Sequence, residues 1–214
     1  MCVIAVSKKG IRQPTKAELM AMWKANQDGC GYMFARNGIV EIHKGFMTFN
    51  DFYRAIKSES FSDEDPVVYH FRISTQGGIN AEMTHPFPLC SDLKMMSALD
   101  VYCDIGIAHN GIIPLTSSQY EKKYSDTALF VANYLSRLIR SEADLLDDFT
   151  LDMISALARS KLAILSKSGE IYTIGNFIEQ NGILLSNVNH LSTKDWNNKI
   201  RYIYRNGVWS ACTV

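Results

Sequence analysis

The feature that most constrains the fold of this chain is an Asn-Gly pair, Asn37-Gly38, between two runs typical of β-strands. The runs cover residues 30–36 and 39–43. The tight turn that matches the twist of a β-hairpin has positive φ at both central residues, a conformation that Asn and Gly adopt at low cost. The sequence therefore predicts a β-hairpin in this region.

Other short apolar runs rich in β-branched residues, each ending at turn residues, predict further strands. These strands cover 2–6, 66–73, 105–108, 162–166, 170–174 and 183–185, with a second hairpin of 201–204 and 208–210 about Asn206-Gly207. Apolar spacing and capping residues predict the helices. The helices cover Thr15 to about 28, 50–57, a segment from Ser125 or Asp126 to Ile139, and 149–159, whereas 76–89 is predicted as a loop. This order predicts an α+β fold of packed sheets covered by helices.

The composition favours one domain over residues 1–214, because a chain of 214 residues that is 47% apolar can bury one sizeable core. The 22 basic and 22 acidic residues balance, so neither nucleic acid nor an anionic membrane is expected as a partner. No run reaches the ~18 apolar residues of a spanning helix and no secretion signal is evident, so a cytoplasmic location is expected. The five cysteines contain no C-x-x-C pair, and no disulfide framework, metal site or organic cofactor is expected.

Cys2 is a candidate nucleophile because it follows the initiator methionine. A small residue at position two permits removal of Met1, which leaves Cys2 with a free α-amine. Such an amine titrates near ~8, so it is partly neutral at physiological pH and can accept the proton of the thiol. One residue then supplies both nucleophile and base. The alternative is a small buried residue at the start of a strand, a common place for cysteine.

Other positions carry groups that suit a small zwitterionic substrate. Arg72 can hold a carboxylate through two hydrogen bonds, and Thr75 can add a hydroxyl. Asn110 and Gly111 can offer a side-chain amide and a backbone N–H to an oxyanion, and Asp126 can hold an ammonium group. Structural alternatives remain open: a surface ion pair for Arg72, an ordinary turn for Asn110-Gly111 and a helix N-cap for Asp126.

Several motifs occur in a fixed order along the chain. They are Cys2, D-G-C-G at 28–31, H-F-R-I-S-T-Q-G at 70–77, T-H-P-F-P at 84–88, A-H-N-G-I at 108–112 and Y-S-D-T at 124–127. In order and approximate spacing they resemble the glutaminase domain of class II glutamine amidotransferases, and the H-P-F and D-G-x-G variants resemble its small stand-alone members. The resemblance implies the N-terminal-nucleophile hydrolase fold, a four-layer αββα sandwich with two antiparallel sheets.

The resemblance also implies a role for each matching residue. Cys2 is the nucleophile with its α-amine as proton shuttle, Asn110 and Gly111 form the oxyanion hole, and Arg72 and Thr75 hold the glutamine α-carboxylate. The other substrate-binding positions are Gln76, His85 and Asp126, of which Asp126 binds the α-amine. The implied reaction is hydrolysis of the glutamine side-chain amide to glutamate and ammonia through a thioester on Cys2.

Two positions depart from the family pattern. Gln76 stands where many members carry histidine, and Ala128 follows Ser-Asp-Thr where glutamate is usual. Neither change removes a catalytic group, but both leave the identity of the substrate open. Because no synthase or isomerase domain is evident, ammonia is expected to pass to a separate acceptor enzyme. Alternatively, the chain hydrolyses a γ-glutamyl amide conjugate, or it is a non-catalytic binding subunit.

Overall fold

The protein was analysed as a computed structural model that describes residues 1–74, 78–114, 123–191, 200–205 and 208–213, with side chains in the first three ranges. The strands are β1 (Val3–Ser7), β2 (Cys30–Arg36), β3 (Ile39–Phe46), β4 (Val67–Phe71), β5 (Phe87–Pro88), β6 (Asp100–Cys103), β7 (Ile105–Asn110), β8 (Lys161–Ser166), β9 (Ile171–Ile174), β10 (Ile178–Gln180), β11 (Ile183–Leu185), β12 (Ile200–Arg205) and β13 (Val208–Thr213). The helices are α1 (Lys16–Ala25), α2 (Phe49–Glu59), α3 (Leu93–Met96), α4 (Asp126–Phe130), α5 (Ser136–Leu138) and α6 (Asp148–Ala158). A π-helical stretch, Val131–Leu135, joins α4 to α5, and a 3-10 helix, Glu142–Leu146, precedes α6.

The strands form two sheets. The larger has the order β12-β13-β10-β11-β1-β4-β2-β3-β6, and the smaller has the order β5-β7-β8-β9. The described pairings are antiparallel except that between β10 and β13, which is parallel. The predicted α+β class and the two antiparallel sheets are thus confirmed, with this one parallel pairing as the difference. β1 lies well inside the larger sheet, so the residue before it, Cys2, is placed by the strands on both sides.

Three apolar clusters show how the layers pack. Neighbouring residues of β1 face opposite sides of the larger sheet: Val3 clusters with Leu19 and Phe52 of α1 and α2, whereas Ile4 clusters with Ala163 of the smaller sheet. A third cluster joins the other face of the smaller sheet to α4 and α6. The order helices, sheet, sheet, helices is consistent with a sandwich.

The structure confirms the predicted hairpin and the predicted start of the first helix. Asn37 and Gly38 have φ of 54° and 75°, as the tight turn requires. At α1, the Thr15 side chain accepts from the Glu18 N–H while the Glu18 carboxylate accepts from the Thr15 N–H. At α4, the N-cap is Ser125, whose Oγ accepts from the Ala128 N–H at 3.2 Å. This settles the choice between Ser125 and Asp126 as the cap.

The sequence prediction missed five short elements, namely β5, α3, β6, the 3-10 helix Glu142–Leu146 and β10. β5 lies in the stretch predicted as a loop, and it forms because Phe87 pairs with Ile107 of β7. β6 is a half-exposed edge strand that pairs with β3. Such elements are stabilised by partners distant in the chain, so local periodicity does not reveal them. The predicted turn at 206–207 lies outside the described residues, although β12 and β13 pair on either side of it.

In the described part of the chain, every helix is too short or too polar to cross a bilayer.

Candidate functional site

Cys2 lies at the start of β1, beside the end of β4. Because β1 and β4 are antiparallel with Val3 opposite Phe71, the residue before β1 lies beside the residues after β4. The Cys2 thiol accepts a hydrogen bond from the Ile73 N–H at 3.4 Å and donates one to the Ile73 carbonyl at 3.4 Å. Asn187 Nδ2 donates to the Cys2 carbonyl at 2.6 Å. Both the side chain and the backbone of Cys2 are therefore held in place.

The protonation of the Cys2 thiol is governed by its burial. Cys2 is half-buried, and burial raises the pKa of its thiol. The hydrogen bond with Ile73 and the positive charges of the chain N-terminus and Arg72 oppose this rise in pKa without cancelling it. The thiol is therefore mostly protonated at neutral pH and needs a base to act as a nucleophile.

Asn110 is buried at the end of β7, where Ser186 holds its amide. Asn110 Nδ2 and the Ile4 N–H both donate to Ser186 Oγ, each at 2.8 Å. Asn110 Oδ1 has no hydrogen-bond partner among the described residues. Exchanging the amide oxygen and nitrogen preserves the shape of the side chain and allows the Ser186 hydroxyl to donate to Oδ1. In that orientation Nδ2 is a buried donor available to a ligand.

Gly111 follows Asn110 in a backbone conformation suited to glycine, with φ of 151°. A Cβ at this position would lie 2.5 Å from Ser160 Cβ, so a larger residue does not fit without movement. Cys2 and Gly111 line the same pocket, so the backbone of Gly111 lies near Cys2. An amide side chain and a backbone N–H are thus available beside one thiol.

The inner pocket brings opposite charges next to Cys2. It is lined by Cys2, Arg72, Ile73, His85, His109, Gly111, Ser125, Asp126 and Thr127 and has a volume of about 20 Å³, room for about one water. Arg72 is almost fully buried, and its Nη1 donates to the Gly78 carbonyl at 2.8 Å. Asp126 Oδ2 accepts from the Ile113 N–H at 2.8 Å. The carboxylate therefore fastens the chain after β7 as well as lining the pocket.

The structure thus brings together six of the residues singled out from the sequence. Five of them line the inner pocket, namely Cys2, Arg72, His85, Gly111 and Asp126. The sixth, Asn110, lines a second cavity that also contains Cys2. The other two predicted positions, Thr75 and Gln76, lie outside the described residues.

Three buried histidines cluster at the inner pocket, and two of them, His85 and His109, line it. The His70 and His85 rings are 4.2 Å apart between centroids, and those of His85 and His109 are 6.2 Å apart. His109 Nδ1 lies 2.7 Å from Thr127 Oγ1 and its Nε2 lies 2.7 Å from Ser160 Oγ. Both ring nitrogens of His85 lack a hydrogen-bond partner among the described residues. Sequence reasoning singled out only His85 of this cluster.

Burial keeps all three rings neutral. It lowers the pKa of His70 to about 3 and that of His109 to about 4. Burial also holds the pKa of His85 well below its usual value, and the neighbouring histidines and the cations Arg72 and Lys44 lower it further. A neutral imidazole of such low basicity is a poor proton acceptor at neutral pH.

Because the pKa values of these three histidines are lowered in the folded protein, we expect the protein to lose stability in mild acid. Between the unfolded pKa of about 6.5 and the lowered folded values, the unfolded chain binds more protons, so the free energy of unfolding falls as the pH falls, by up to about 1.4 kcal/mol per pH unit for each histidine. Urea unfolding between about pH 7 and pH 5 measures this slope. In His85→Phe, which removes one titrating ring, the slope should be smaller. An unchanged slope in this variant would show that His85 does not contribute.

The two glycines of the D-G-C-G motif leave room for the T-H-P-F-P segment to pack closely against them. A Cβ on Gly29 would lie 2.6 Å from Thr84 Cγ2, and a Cβ on Gly31 would lie 2.4 Å from the His85 carbonyl oxygen. Both glycines therefore allow the T-H-P-F-P segment to pack against β2. Thr84 Oγ1 in turn accepts from the Gly45 N–H at 2.7 Å. This packing helps to place His85 in the lining of the inner pocket.

A second hollow, the outer cavity, adjoins the inner pocket. It has a volume of about 390 Å³ and is lined by Met1, Cys2, Ile73, Asn110, Gly111, Ile112, Arg159, Ser160 and Lys161. Cys2, Ile73 and Gly111 line both hollows, so the thiol lies where they meet. No sequence motif marked Arg159, Ser160, Lys161 or Ser186, which reach the site through the packing of elements that are distant in the chain.

A larger cavity of about 870 Å³ lies away from Cys2, and two of the charged groups that line it, Lys167 and Glu142, already have partners. Lys167 pairs with Asp104 at 2.8 Å. Glu142 Oε1 accepts from Ser166 Oγ at 2.8 Å and also from Ser168 Oγ. We therefore assign the candidate site to the two hollows at Cys2, where buried polar groups lack protein partners.

Comparison with known proteins adds no family assignment. The chain matches no protein-family model, and no curated protein sequence matches it significantly. Within the described residues, no group of three or more His, Cys, Asp or Glu side chains is arranged to hold a metal ion.

Proposed function

We propose that this protein is an N-terminal-nucleophile amidohydrolase of the class II glutamine amidotransferase type. It hydrolyses the glutamine side-chain amide and passes the ammonia to a separate acceptor enzyme. The observation that carries this proposal is the position of the Cys2 thiol, between a pocket lined by Arg72 and Asp126 and the Asn110-Gly111 turn. The layered arrangement of two sheets and flanking helices suits the αββα fold of such enzymes.

Cys2 supplies the covalent chemistry in this proposal. Its thiol is protonated because of burial, so the α-amine released by removal of Met1 takes the proton as Sγ attacks the amide carbon. The C–N bond then breaks, and ammonia leaves with the proton held by the α-amine. Water hydrolyses the resulting thioester to glutamate and restores the thiol. Met1 is 70% exposed, so an aminopeptidase can reach it.

The charged residues of the inner pocket fit the two ends of an amino acid. Arg72 binds the α-carboxylate through charge-assisted hydrogen bonds, and Asp126 binds the α-ammonium group. A pocket of about 20 Å³ is smaller than glutamine, so binding requires the lining side chains to move. We propose that Arg72 exchanges its hydrogen bond with the Gly78 carbonyl for one with the substrate.

The oxyanion of the tetrahedral intermediate accepts hydrogen bonds from the Gly111 N–H and from Asn110 Nδ2. Asn110 Nδ2 fills this role when Ser186 donates to Asn110 Oδ1. Donors that are fixed before the reaction stabilise the developing charge without reorganisation. The unpartnered amide atom of Asn110 therefore supports this assignment.

The proposal is tested by incubating the processed chain with glutamine. Glutamate and ammonia should appear in equal amounts, whereas asparagine, which is one methylene shorter, should be a poor substrate. A glutamine-like thiol alkylator should add one adduct, located on Cys2 by mass spectrometry, and glutamine should slow this labelling. Absence of glutamate, together with labelling that glutamine does not slow, would rule out the proposed function.

Ser186→Ala is expected to lower kcat by at least about tenfold with little change in KM, because Asn110 loses the partner that orients its amide. Ser186→Thr retains the hydroxyl and should restore most of the activity. Ser166→Ala is the matched control, since Ser166 is also buried but hydrogen-bonds to Glu142 in another region. A kcat for Ser186→Ala equal to that of the control would exclude a positioning role for Ser186.

A further inference from the structure

The outer cavity lies where the leaving group of the reaction must go. In hydrolysis of an amide, the acyl part and the leaving nitrogen extend in different directions from the attacked carbon. The inner pocket takes the acyl part in the proposed function, because it contains Arg72 and Asp126. Cys2 also lines the outer cavity, so this cavity is placed to receive the nitrogen and whatever the nitrogen carries.

The size of the outer cavity exceeds what ammonia needs. Its volume of about 390 Å³ falls within the range of small-molecule sites, about 300–1,000 Å³. Met1 contributes to its lining, so removal of Met1 enlarges it further. Ile73 and the half-exposed Ile112 give the cavity an apolar part. The outer cavity therefore has room for an amide nitrogen that carries a further group.

The charge of the outer cavity favours an anion. Arg159 and Lys161 line it, and no acidic side chain in the described part of the chain does. Neither cation forms an ion pair with a described carboxylate, in contrast to Arg12, which pairs with Glu18 at 2.6 Å. Lys161 Nζ donates to the Ser186 carbonyl, and burial lowers the pKa of Lys161 with no carboxylate to offset it. Arg159 is exposed and Lys161 is half-buried, so both cations are accessible to an anion that enters the outer cavity.

We infer that the outer cavity binds a carboxylate attached to the amide nitrogen, so that γ-glutamyl-amino acids and γ-glutamyl peptides are substrates. This inference rests on the proposed function of Cys2. Arg159 binds the carboxylate, Lys161 adds a second positive charge, and the apolar part of the cavity takes the side chain of the attached residue. Cys2 Sγ bonds to the γ-carbonyl carbon, and the C–N bond breaks. The free amino acid leaves with the proton from the α-amine, and water hydrolyses the thioester.

A matched pair of substrates tests this inference. γ-Glutamylglycine and γ-glutamylglycinamide differ only in the terminal carboxylate, and free glutamine serves as the third substrate. For the unmodified processed chain, kcat/KM should be at least about tenfold higher for γ-glutamylglycine than for γ-glutamylglycinamide, as expected for a charge-assisted hydrogen bond. Equal values for the pair would overturn the inference.

Variants of the two cations test which residue causes the preference for a substrate with a terminal carboxylate. Arg159→Gln should remove most of the preference for γ-glutamylglycine, and Arg159→Lys should retain part of it. The matched control is Arg137→Gln, because Arg137 is exposed on α5 and does not line the outer cavity. A preference that persists in both Arg159→Gln and Lys161→Met would exclude these cations as the carboxylate site.

The three substrates also separate the inference from the proposed function. If glutamine is hydrolysed but the γ-glutamyl pair shows no preference, the inference fails and the proposed function stands. If glutamine and γ-glutamylglycine are both hydrolysed in a Cys2-dependent manner, and γ-glutamylglycine is preferred to γ-glutamylglycinamide, both stand. If none of the three substrates is hydrolysed, both fail.

Discussion

Cys2→Ala is expected to reduce glutamine hydrolysis by at least about 10³-fold, because the covalent route through a thioester is lost. The fold should be unaffected. Cys2 precedes β1 and is half-buried, and its thiol contributes only the two long contacts with Ile73. Glutamate release under saturating glutamine measures the effect, and thermal unfolding checks that the variant is folded. Cys90→Ala is the matched control, since Cys90 is another half-buried cysteine and lines the larger cavity away from Cys2.

The hydroxyl of Ser160 is the competing nucleophile near the site. It lies 2.7 Å from His109 Nε2, but it donates its proton to the Ala158 carbonyl at 2.9 Å. Burial lowers the pKa of His109 to about 4, so its ring is a poor base for this hydroxyl at neutral pH. Ser160→Ala should therefore retain hydrolysis. Loss of activity in Ser160→Ala with retention in Cys2→Ala would assign the nucleophile to Ser160 instead.

A chain whose Cys2 is preceded by another residue is expected to be less active by about 10²-fold to 10⁴-fold, the usual contribution of a general base. The α-amine of Cys2 is then part of a peptide bond and cannot accept the thiol proton. Burial has raised the pKa of the thiol, so little thiolate forms without a base. The extra residue also occupies the outer cavity, as Met1 does.

A removable N-terminal leader that ends directly before Cys2 allows the same preparation to be assayed before and after cleavage. Intact mass confirms that Cys2 is the first residue after cleavage, and the activity should then rise. The leader on Cys2→Ala is the control, because cleavage should not activate it. Full activity before cleavage would contradict the role of the α-amine as the base.

The residues with candidate roles were found in the sequence because they follow strands or begin helices. Arg72 comes directly after the apolar run of β4, Asn110 ends β7, and Asp126 is the first residue of α4. Polar side chains at the ends of apolar elements emerge where ligands bind, so their position along the chain carries information about function. Their roles in catalysis stay predictions until the experiments above are done.

Local sequence preferences account for the local structure: the Asn37-Gly38 hairpin, the capping box at Thr15 and the apolar, β-branched strand β1 follow from turn preferences, capping and strand composition. The packing of the two sheets decides which distant residues meet. Asn110 and Ser186 are joined because the smaller sheet packs on the larger, and two hollows meet at Cys2 for the same reason. Contacts between residues this far apart depend on strand order and sheet packing, which local patterns do not specify.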